Sequence, residues 1–338
     1  MSNIIQFGIA GCGYIANRHI EHIINHPHGD AVAVYDTDTS KAKTFGQTYK
    51  TQHFESFEAF LQSAAQIVCI CTPNGTHAEI AIACLQAGKD VLVEKPMATN
   101  TADAQKMIEV AEQYNRQLFI VKQNRYNPPV AALKELIDAG KPGKIYSVNI
   151  NCYWNRNADY YASSPWKGTG NLDGGVLFTQ FSHFIDILYY FFGDVDEVCG
   201  RIANKGHGDL IEFEDTGTFN FELQNGALGS LNFTTCAYNK NMEGSITVFA
   251  EKATIKIGGK YLNTIDYQET KGFDLKHLPQ SAKANDYGFY QGSMSNHDKV
   301  IDNVIQTLNH KADIMTGGPD GLKVVEIIEK FYKSAKQL

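Results

Sequence analysis

The feature that most constrains the fold is the loop Gly11-Cys12-Gly13-Tyr14-Ile15-Ala16, which follows an apolar run and precedes a helical pattern. In this G-x-G-x-x-A spacing, Gly11 allows a tight turn, Gly13 lets the backbone approach a pyrophosphate, and Ala16 permits close packing of helix on strand. The phosphates are then expected at a helix N-terminus, where free N–H groups point outward. The loop therefore predicts a Rossmann domain that binds a dinucleotide.

An acidic residue, Asp36, ends the next apolar run. A carboxylate at this point binds both ribose hydroxyls and repels a 2′-phosphate. The residues that follow, Thr37-Asp38-Thr39, include no arginine that would hold such a phosphate. The sequence thus favours NAD over NADP; the alternative is a structural glycine turn beside a surface aspartate.

The order of apolar and helical patterns predicts two domains, as the length of 338 residues also suggests. Continuous apolar runs alternate with helical patterns in the first third, which predicts an α/β, doubly wound parallel sheet over residues 1–122. The runs are 4–10, 31–36, 67–71, 90–93 and 118–121. Residues 123–338 are expected to form an α+β domain with a mostly antiparallel open sheet, and the last helix is expected to pack back on the first domain. Its strand-like segments are 144–154, 215–223, 227–236, 245–249 and 253–257, and its helical segments are 129–139, 174–192, 293–310 and 321–336.

Composition excludes several classes of protein. The net charge of −7 and the lack of a basic stripe argue against a nucleic-acid partner. No apolar stretch reaches membrane-spanning length and no leader pattern is visible, so no membrane contact is expected. The seven cysteines are scattered singly, which is typical of a reducing compartment and predicts a cytoplasmic protein.

Three histidines on the first predicted helix, His19, His22 and His26, have the spacing of metal ligands. Ile20, Ile23 and Ile24 are expected to mark the opposite, buried face. Because no carboxylate or cysteine completes a site in the sequence, a solvated helix face is predicted and no metal is expected.

Two further segments carry candidate catalytic residues. Lys95 follows the apolar run 91–93, and ligands of doubly wound sheets bind beyond the carboxyl ends of strands. An ammonium there can hold a substrate hydroxyl, or take its proton if burial lowers its pKa; the alternative is a salt bridge. His183 lies on an apolar helical pattern with Gln180 and Asp186 at three-residue spacing, and it is either a general base or a hydrogen-bonded core residue.

Four motifs together resemble the glucose–fructose oxidoreductase/inositol dehydrogenase/rhizopine catabolism protein (Gfo/Idh/MocA) family over nearly the whole chain. They are Gly8-Ile9-Ala10-Gly11-Cys12-Gly13, Thr72-Pro73-Asn74-x-x-His77, Glu94-Lys95-Pro96 and Gly174-Gly175-x-Leu177 leading to His183. The resemblance implies a cis peptide at Lys95–Pro96 and Lys95 and His183 as the catalytic pair. It also implies that the cofactor lies along Gly11, Gly13, Tyr14, Ile15, Asp36, Thr37, Thr72, Pro73, Asn74, His77, Glu94, Lys95 and Gln123. One departure is Thr179, which stands where many members carry an aspartate.

A narrower group within this family, the bacterial UDP-N-acetylglucosaminuronate 3-dehydrogenases of lipopolysaccharide O-antigen synthesis, is similar in segments 121–128, 153–156, 160–161, 164–169, 178–183 and 287–293. The likeness implies NAD-dependent oxidation of C3 of a UDP-sugar acid. Cations for such a substrate are present at Arg125, Arg156 and Lys167, and the aromatic residues nearby are either ring platforms or core anchors. Ser293 is expected either to bind phosphate at a helix N-terminus or to be a plain N-cap. The substrate-binding set is Lys95, Arg156, Tyr160, Tyr161, Trp166, Lys167, Thr179, Gln180, His183, Tyr290 and Ser293.

Several alternatives remain open at this point. A family dehydrogenase acting on a free sugar or inositol, or a non-catalytic NAD-binding regulator, would also fit the motifs. His183 is favoured as the base and Lys95 as the orienting cation, and whether NADH is released or reoxidised in place by a keto acid is open. A homo-oligomer, either a dimer or a tetramer, is expected through the open C-terminal sheet.

Overall fold

The computed structural model describes residues 3–281, 284–286 and 291–337. The chain divides into two compact units, of which the first comprises Met1–Lys122 and His297–Val325 and the second comprises Gln123–Asn296 and Glu326–Leu338. The segment 297–325, which the sequence suggests is part of the second domain, therefore lies in the first unit. Within the described residues, no helix is both long and apolar enough to cross a membrane.

The first unit is built on a six-stranded sheet in which all pairs are parallel and the strand order is β3-β2-β1-β4-β5-β6. This is the order of a Rossmann fold. The strands are β1 (Ile5–Ala10), β2 (Gly29–Tyr35), β3 (Gln52–Phe54), β4 (Ile67–Ile70), β5 (Asp90–Val93) and β6 (Leu118–Ile120). The helices between them are α1 (Tyr14–Asn25), α2 (Thr39–Tyr49), α3 (Phe57–Leu61), α4 (His77–Gln86) and α5 (Thr101–Gln113).

The central strand β4 is apolar at every position, which is typical of a parallel strand with helices on both faces of its sheet. All four residues of β4 are buried, as the continuous run in the sequence predicts, and Cys69 and Cys71 pack as small core residues. The short edge strand β3 has no comparable apolar run and was not expected from the sequence.

The second unit contains an eight-stranded mixed sheet of order β13-β12-β11-β7-β10-β9-β8-β16. All pairs are antiparallel except β7–β10 and β8–β16. Its strands are β7 (Ile145–Tyr153), β8 (Val195–Ala203), β9 (Thr216–Leu223), β10 (Leu228–Thr234), β11 (Glu243–Ala250), β12 (Ala253–Gly258), β13 (Thr264–Thr270) and β16 (Ala335–Gln337). A separate hairpin joins β14 (Ala284–Asp286) to β15 (Gln291–Met294). The α/β and mostly antiparallel α+β classes predicted for the two halves are confirmed.

Helices of the second unit are α6 (Pro128–Asp138), α7 (Ala158–Ala162), α8 (Val176–Thr179) and α9 (Ser182–Phe192). The closing helices are α10 (His297–Leu308), in the first unit, and α11 (Gly318–Ser334), which is divided between the units. Burial alternates along the sheet strands, so one face is covered while the other is partly exposed. Trp154 lies in the covered core, with its ring centroid 5.3 Å from that of Phe181 and 5.8 Å from that of Phe184.

Candidate functional site

The glycine loop has the conformation that the motif predicts. Gly11 has φ +90°, and a Cβ placed there would lie 2.7 Å from the carbonyl oxygen of Cys71, so only glycine fits. Gly13 is the N-cap of α1, and a Cβ added to it would meet no atom within 4 Å. No side chain caps this helix, whereas Ala16 is fully buried. The open space at Gly13 and the uncapped first turn of α1 fit a pyrophosphate.

Asp36 follows β2 and helps to shape the loop. Its Oδ2 accepts a hydrogen bond of 2.7 Å from the Cys12 N–H, and its Oδ1 accepts one of 2.9 Å from the Asp38 N–H. Burial, with the nearby Asp36 carboxylate, raises the pKa of the Cys12 thiol to about 12, so this loop cysteine is not a thiolate at neutral pH. Because a carboxylate oxygen can accept more than one hydrogen bond, Asp36 keeps acceptor capacity for ribose hydroxyls. The neighbouring Thr37 is exposed.

The turn after β4 carries Thr72, Pro73 and the buried Asn74, and His77 begins α4. Nδ1 of His77 lies 2.7 Å from the carbonyl oxygen of Pro96, and Nε2 lies 2.9 Å from that of Thr72. Burial lowers the pKa of His77 against the opposing effect of these carbonyls. Both ring nitrogens are thus engaged by the backbone, so His77 ties the Thr72 turn to the Lys95–Pro96 turn.

Lys95 lies two residues beyond the end of β5, and its peptide bond to Pro96 is cis, as the family resemblance implies. Its N–H donates a 3.1 Å hydrogen bond to Oε2 of Glu94, whose side chain is buried.

The prediction that the α1 histidines occupy a solvated face opposite the isoleucines was wrong. His19 is fully buried and its Nε2 lies 2.8 Å from Oε1 of Glu94, whereas Ile24 is 45% exposed. The buried stripe of α1 consists of Ala16, His19, Ile20 and Ile23. The expectation that no carboxylate approaches these histidines failed because Glu94 is 75 residues away in sequence and only the fold brings it close.

His183 is the second residue of α9 and is 4% exposed. One turn later, Asp186 forms a two-point ion pair with Arg125, in which Nε donates to Oδ2 over 3.1 Å and Nη2 donates to Oδ1 over 2.8 Å. Both side chains are 2% exposed, and the guanidinium also lies 4.4 Å from the ring centroid of Tyr190. Arg125 is therefore committed to this pair, which corrects its assignment as a substrate cation.

Three of the expected substrate-binding residues contact one another. The Nε of Arg156 donates to Oε1 of Gln180 over 2.7 Å, and Nε2 of Gln180 donates to the Tyr160 hydroxyl over 2.6 Å. Lys167 extends the group, since its Nζ lies 4.0 Å from the Tyr160 ring centroid and donates to the Ser163 hydroxyl. Burial, with the neighbouring Arg156, lowers the pKa of Lys167 to about 8.

Other expected substrate residues are placed differently. Tyr161 packs in the core with Tyr160 and Ile211, and Trp166 is half-buried. The Thr179 hydroxyl donates to the carbonyl and carboxylate oxygens of Asp173, so the preceding turn holds this side chain.

Ser293 lies in β15, and helix α10 begins only at His297. The predicted helix N-terminus at Ser293, whether as a phosphate site or as a plain cap, was therefore wrong. The Ser293 hydroxyl instead accepts a hydrogen bond of 2.9 Å from the Gln123 side chain. Tyr290 and the preceding residues 287–289 lie outside the described residues.

An ion pair that the sequence did not indicate supports this region. Nδ1 of His207 lies 2.9 Å from Oδ2 of Asp215, and Nε2 of His207 contacts the Arg156 carbonyl oxygen at 2.5 Å. The hydrogen bond with Asp215 raises the pKa of His207 to about 10. No sequence signal marks this pair, because neither residue belongs to a motif or to a common periodic pattern.

Two family models match the chain. Residues 5–122 match the NAD-binding Rossmann fold of the Gfo/Idh/MocA oxidoreductase family, and residues 130–256 match its C-terminal domain. Among curated relatives, the chain is 24% identical to glucose-6-phosphate 3-dehydrogenase of Bacillus subtilis, covering 97% of this chain and 95% of the relative. It is 28% identical to inositol 2-dehydrogenase of Rubrobacter xylanophilus, covering 76% of this chain and 72% of the relative.

Two similar solved structures are WlbA dehydrogenases, each in complex with NADH and UDP-GlcNAcA. The Bordetella pertussis structure is 33% identical with a TM-score of 0.87, covering 98% of this chain and 96% of that one. The Chromobacterium violaceum structure is 34% identical with a TM-score of 0.90, covering 99% and 94%. Together with the glycine loop, Asp36 and the two-domain match, these similarities establish that the chain belongs to the Gfo/Idh/MocA family of NAD-binding oxidoreductases.

Proposed function

We propose that this oxidoreductase uses NAD to oxidise the C3 hydroxyl of UDP-N-acetyl-D-glucosaminuronate to the 3-keto sugar, in the synthesis of lipopolysaccharide O-antigen sugars. The likeness to the two WlbA dehydrogenases carries the proposal, because it extends over 98–99% of the chain and both neighbours hold this sugar nucleotide. The curated relatives act on a wider range of substrates, so the family alone supports only an oxidoreductase.

The residues of the first unit fit the cofactor. The open space at Gly13 and the first turn of α1 suit the pyrophosphate, and the Asp36 carboxylate suits the adenosine ribose. Tyr14 and Ile15 begin the same helix, and Thr72, Pro73 and Asn74 form the turn after β4. When bound, NAD supplies the acceptor for the hydride that leaves C3.

Lys95 and His183 supply the remaining chemistry in this proposal. Loss of hydride from an alcohol carbon yields a ketone only if the hydroxyl proton also leaves. The His183 imidazole accepts that proton, since histidine is a common general base in enzymes that work near neutral pH. The Lys95 ammonium donates a hydrogen bond to the same hydroxyl oxygen and orients it.

The polar group around Tyr160 supports an anionic substrate. Arg156 and Lys167 place two cations against one aromatic ring, 5.1 Å and 4.0 Å from its centroid. A sugar acid carries a carboxylate and a nucleoside diphosphate carries further negative charge, whereas a free sugar or inositol carries none. Charge-assisted hydrogen bonds from Arg156 and Lys167 would favour the former class.

The test is an NADH-production assay with purified full-length protein, comparing UDP-N-acetyl-D-glucosaminuronate with UDP-N-acetylglucosamine, glucose 6-phosphate and inositol. We expect the sugar nucleotide acid to have the highest kcat/KM. His183→Asn and Lys95→Met should each reduce kcat by about 10²–10⁴ while NAD binding persists. Near-normal turnover by both variants would refute the assignment of the catalytic pair.

Other outcomes of the same assay would support the alternatives. Preference for inositol or a free sugar would indicate a different family dehydrogenase, and NAD binding without turnover of any alcohol would indicate a regulator. Adding a keto acid shows whether NADH is reoxidised in place, because turnover would then continue without accumulation of free NADH.

We also propose that copies of the chain associate, as a dimer or tetramer, through the partly exposed face of the eight-stranded sheet. Leu228, Phe249 and Tyr267 are 62%, 39% and 51% exposed, and all lie on strands of this sheet. Light scattering of the purified protein should give a mass of two or four chains, and Leu228→Lys/Phe249→Lys should reduce it. A monomeric wild type at micromolar concentration would contradict the proposal.

A further inference from the structure

A buried polar cluster in the first unit, consisting of His19, Glu94 and His297, has no role in the chemistry described so far. The three residues come from α1, the end of β5 and the start of α10, and they are 0%, 6% and 0% exposed. The rings of His19 and His297 meet edge to face with centroids 5.2 Å apart. Burying polar groups costs free energy unless they are hydrogen-bonded or paired, so we expect this cluster to have a structural or functional role.

The Glu94 carboxylate is the centre of the cluster. Oε1 lies 2.8 Å from Nε2 of His19 and 3.6 Å from Nε2 of His297, the second distance being longer than a hydrogen bond. Burial would raise the pKa of Glu94, but the two histidines outweigh burial and hold it well below its usual range. Because an ionised carboxylate only accepts hydrogen bonds, Nε2 of His19 must carry the proton that lies between them.

The other carboxylate oxygen acts on the residue proposed to hold the substrate hydroxyl. Oε2 of Glu94 accepts the N–H of Lys95 over 3.1 Å, and on the far side of the same turn His77 holds the Pro96 carbonyl. Lys95 and Pro96 are therefore clamped from two sides. The direction in which the Lys95 side chain leaves the backbone is set by this turn.

We infer that His19 and His297 are positioning residues for Lys95, since they fix the orientation and charge of Glu94, and Glu94 fixes the Lys95 backbone. The role of the Lys95 ammonium in this inference rests on the proposed function. The geometry of the turn does not depend on that function. His19 acts through a direct hydrogen bond. His297 acts by packing against the His19 ring and placing a polar edge near the carboxylate.

A metal ion is the rival occupant, because two imidazoles and a carboxylate have ligand atoms within 4.8 Å of one another. Two ligands at ~2.0–2.1 Å from a tetrahedral zinc ion would lie about 3.3 Å apart. The His19–Glu94 distance of 2.8 Å is instead that of a charge-assisted hydrogen bond. The contacts thus favour a proton between these two groups.

The experiment compares His19→Gln, which keeps an N–H donor, with His19→Leu, which has none. His26→Leu is the matched control, because His26 contacts Asp302 at 3.2 Å and so joins the same α1 and α10 segments without touching Glu94. The first readout is hydrogen exchange at the Lys95 amide, followed by mass spectrometry. Because Pro96 has no N–H, the residue after Lys95 adds no exchanging amide to the measured signal.

In His19→Leu, losing a hydrogen bond to a charged group should speed Lys95 exchange by about 10–100-fold. The kcat should fall by about 10²-fold while the Kd for NAD is unchanged, as expected when a reacting group is misplaced. His19→Gln should recover most of both properties, and His26→Leu should change neither, although it lowers the melting temperature. His297→Leu, a second variant should His19→Leu not fold, is expected to speed exchange to a smaller extent.

The outcomes separate this inference from the proposed function. Faster Lys95 exchange in a protein that oxidises no sugar nucleotide would refute the proposed function and leave the positioning role intact. Unchanged exchange, or unchanged kcat despite faster exchange, would overturn the positioning role alone. One equivalent of zinc in the purified wild type, lost in His19→Leu, would overturn the hydrogen-bonded cluster.

Discussion

Arg125→Met tests a deeply buried ion pair, that of Arg125 with Asp186. The substitution keeps most of the apolar volume of the side chain but removes both hydrogen bonds to Asp186. The carboxylate of Asp186, which is 2% exposed, would then lose the guanidinium that donates both of these hydrogen bonds. Because Asp186 lies one turn beyond His183 on α9, the change also tests whether the ion pair stabilises the helix that carries the proposed base.

The expected loss is large for a single substitution. Breaking a buried ion pair by removing one partner costs about 3–5 kcal/mol, because the remaining charge loses its compensation. At about 2–4 °C per kcal/mol for a unit of this size, the melting temperature should fall by about 6–20 °C. Adding Asp186→Leu removes the buried carboxylate itself and should restore part of the loss.

Calorimetry at a fixed scan rate measures the melting temperatures. Lys106→Met is the matched control, since Lys106 contacts Glu109 at 3.3 Å with both side chains more than half exposed. An exposed pair is worth less than about 1 kcal/mol. The reasoning would be refuted if Arg125→Met lowered the melting temperature no more than Lys106→Met does.

Three further predictions follow from individual contacts. Gly11→Ala should abolish NAD binding in calorimetric titration, since φ of +90° costs a non-glycine residue about 1–3 kcal/mol and the new Cβ would meet the Cys71 carbonyl; wild-type affinity would contradict this. Burial lowers the pKa of Lys167 to about 8, so the KM for the sugar nucleotide acid should rise as pH exceeds 8, whereas in Lys167→Met it should be high and nearly constant. The hydrogen bond with Asp215 raises the pKa of His207 from 6.5 to about 10, so the stability that it contributes is fully present below pH 6.5 and lost as pH rises through 10. Urea unfolding should show this fall in the wild type and not in His207→Gln.

Local patterns in the sequence determined the architecture of the first unit. The glycine loop, the alternation of apolar runs with helical patterns and the position of Asp36 all depend on residues close together in the chain. Such local patterns are compatible with few backbone conformations. The parallel sheet and the NAD-binding loop could therefore be predicted. The same holds for five alternating strands of the second unit. The strands β8 and β13, with less regular burial, and the short strands β14, β15 and β16 were not expected, and β16 begins where the predicted helix 321–336 ends early.

Only the tertiary structure decided which polar side chains meet. Spacing placed His19, His22 and His26 along α1, but the phase of a helix against its sheet decides which of them is buried, and His19 alone reaches Glu94. The sequence predicts that Arg125 binds a substrate, because sequence patterns do not show which carboxylate pairs with an arginine. The fold supplies Asp186 from 61 residues away and commits Arg125 to it.

The chain by itself therefore determined the cofactor class and the position of Lys95 after its strand, because these follow from short-range backbone geometry. Long-range packing decided which buried charges pair with one another. It also decided that residues 297–325 belong to the first unit. Hydrogen bonds and ion pairs between distant residues depend on distance and burial in three dimensions. No periodicity in the sequence encodes them.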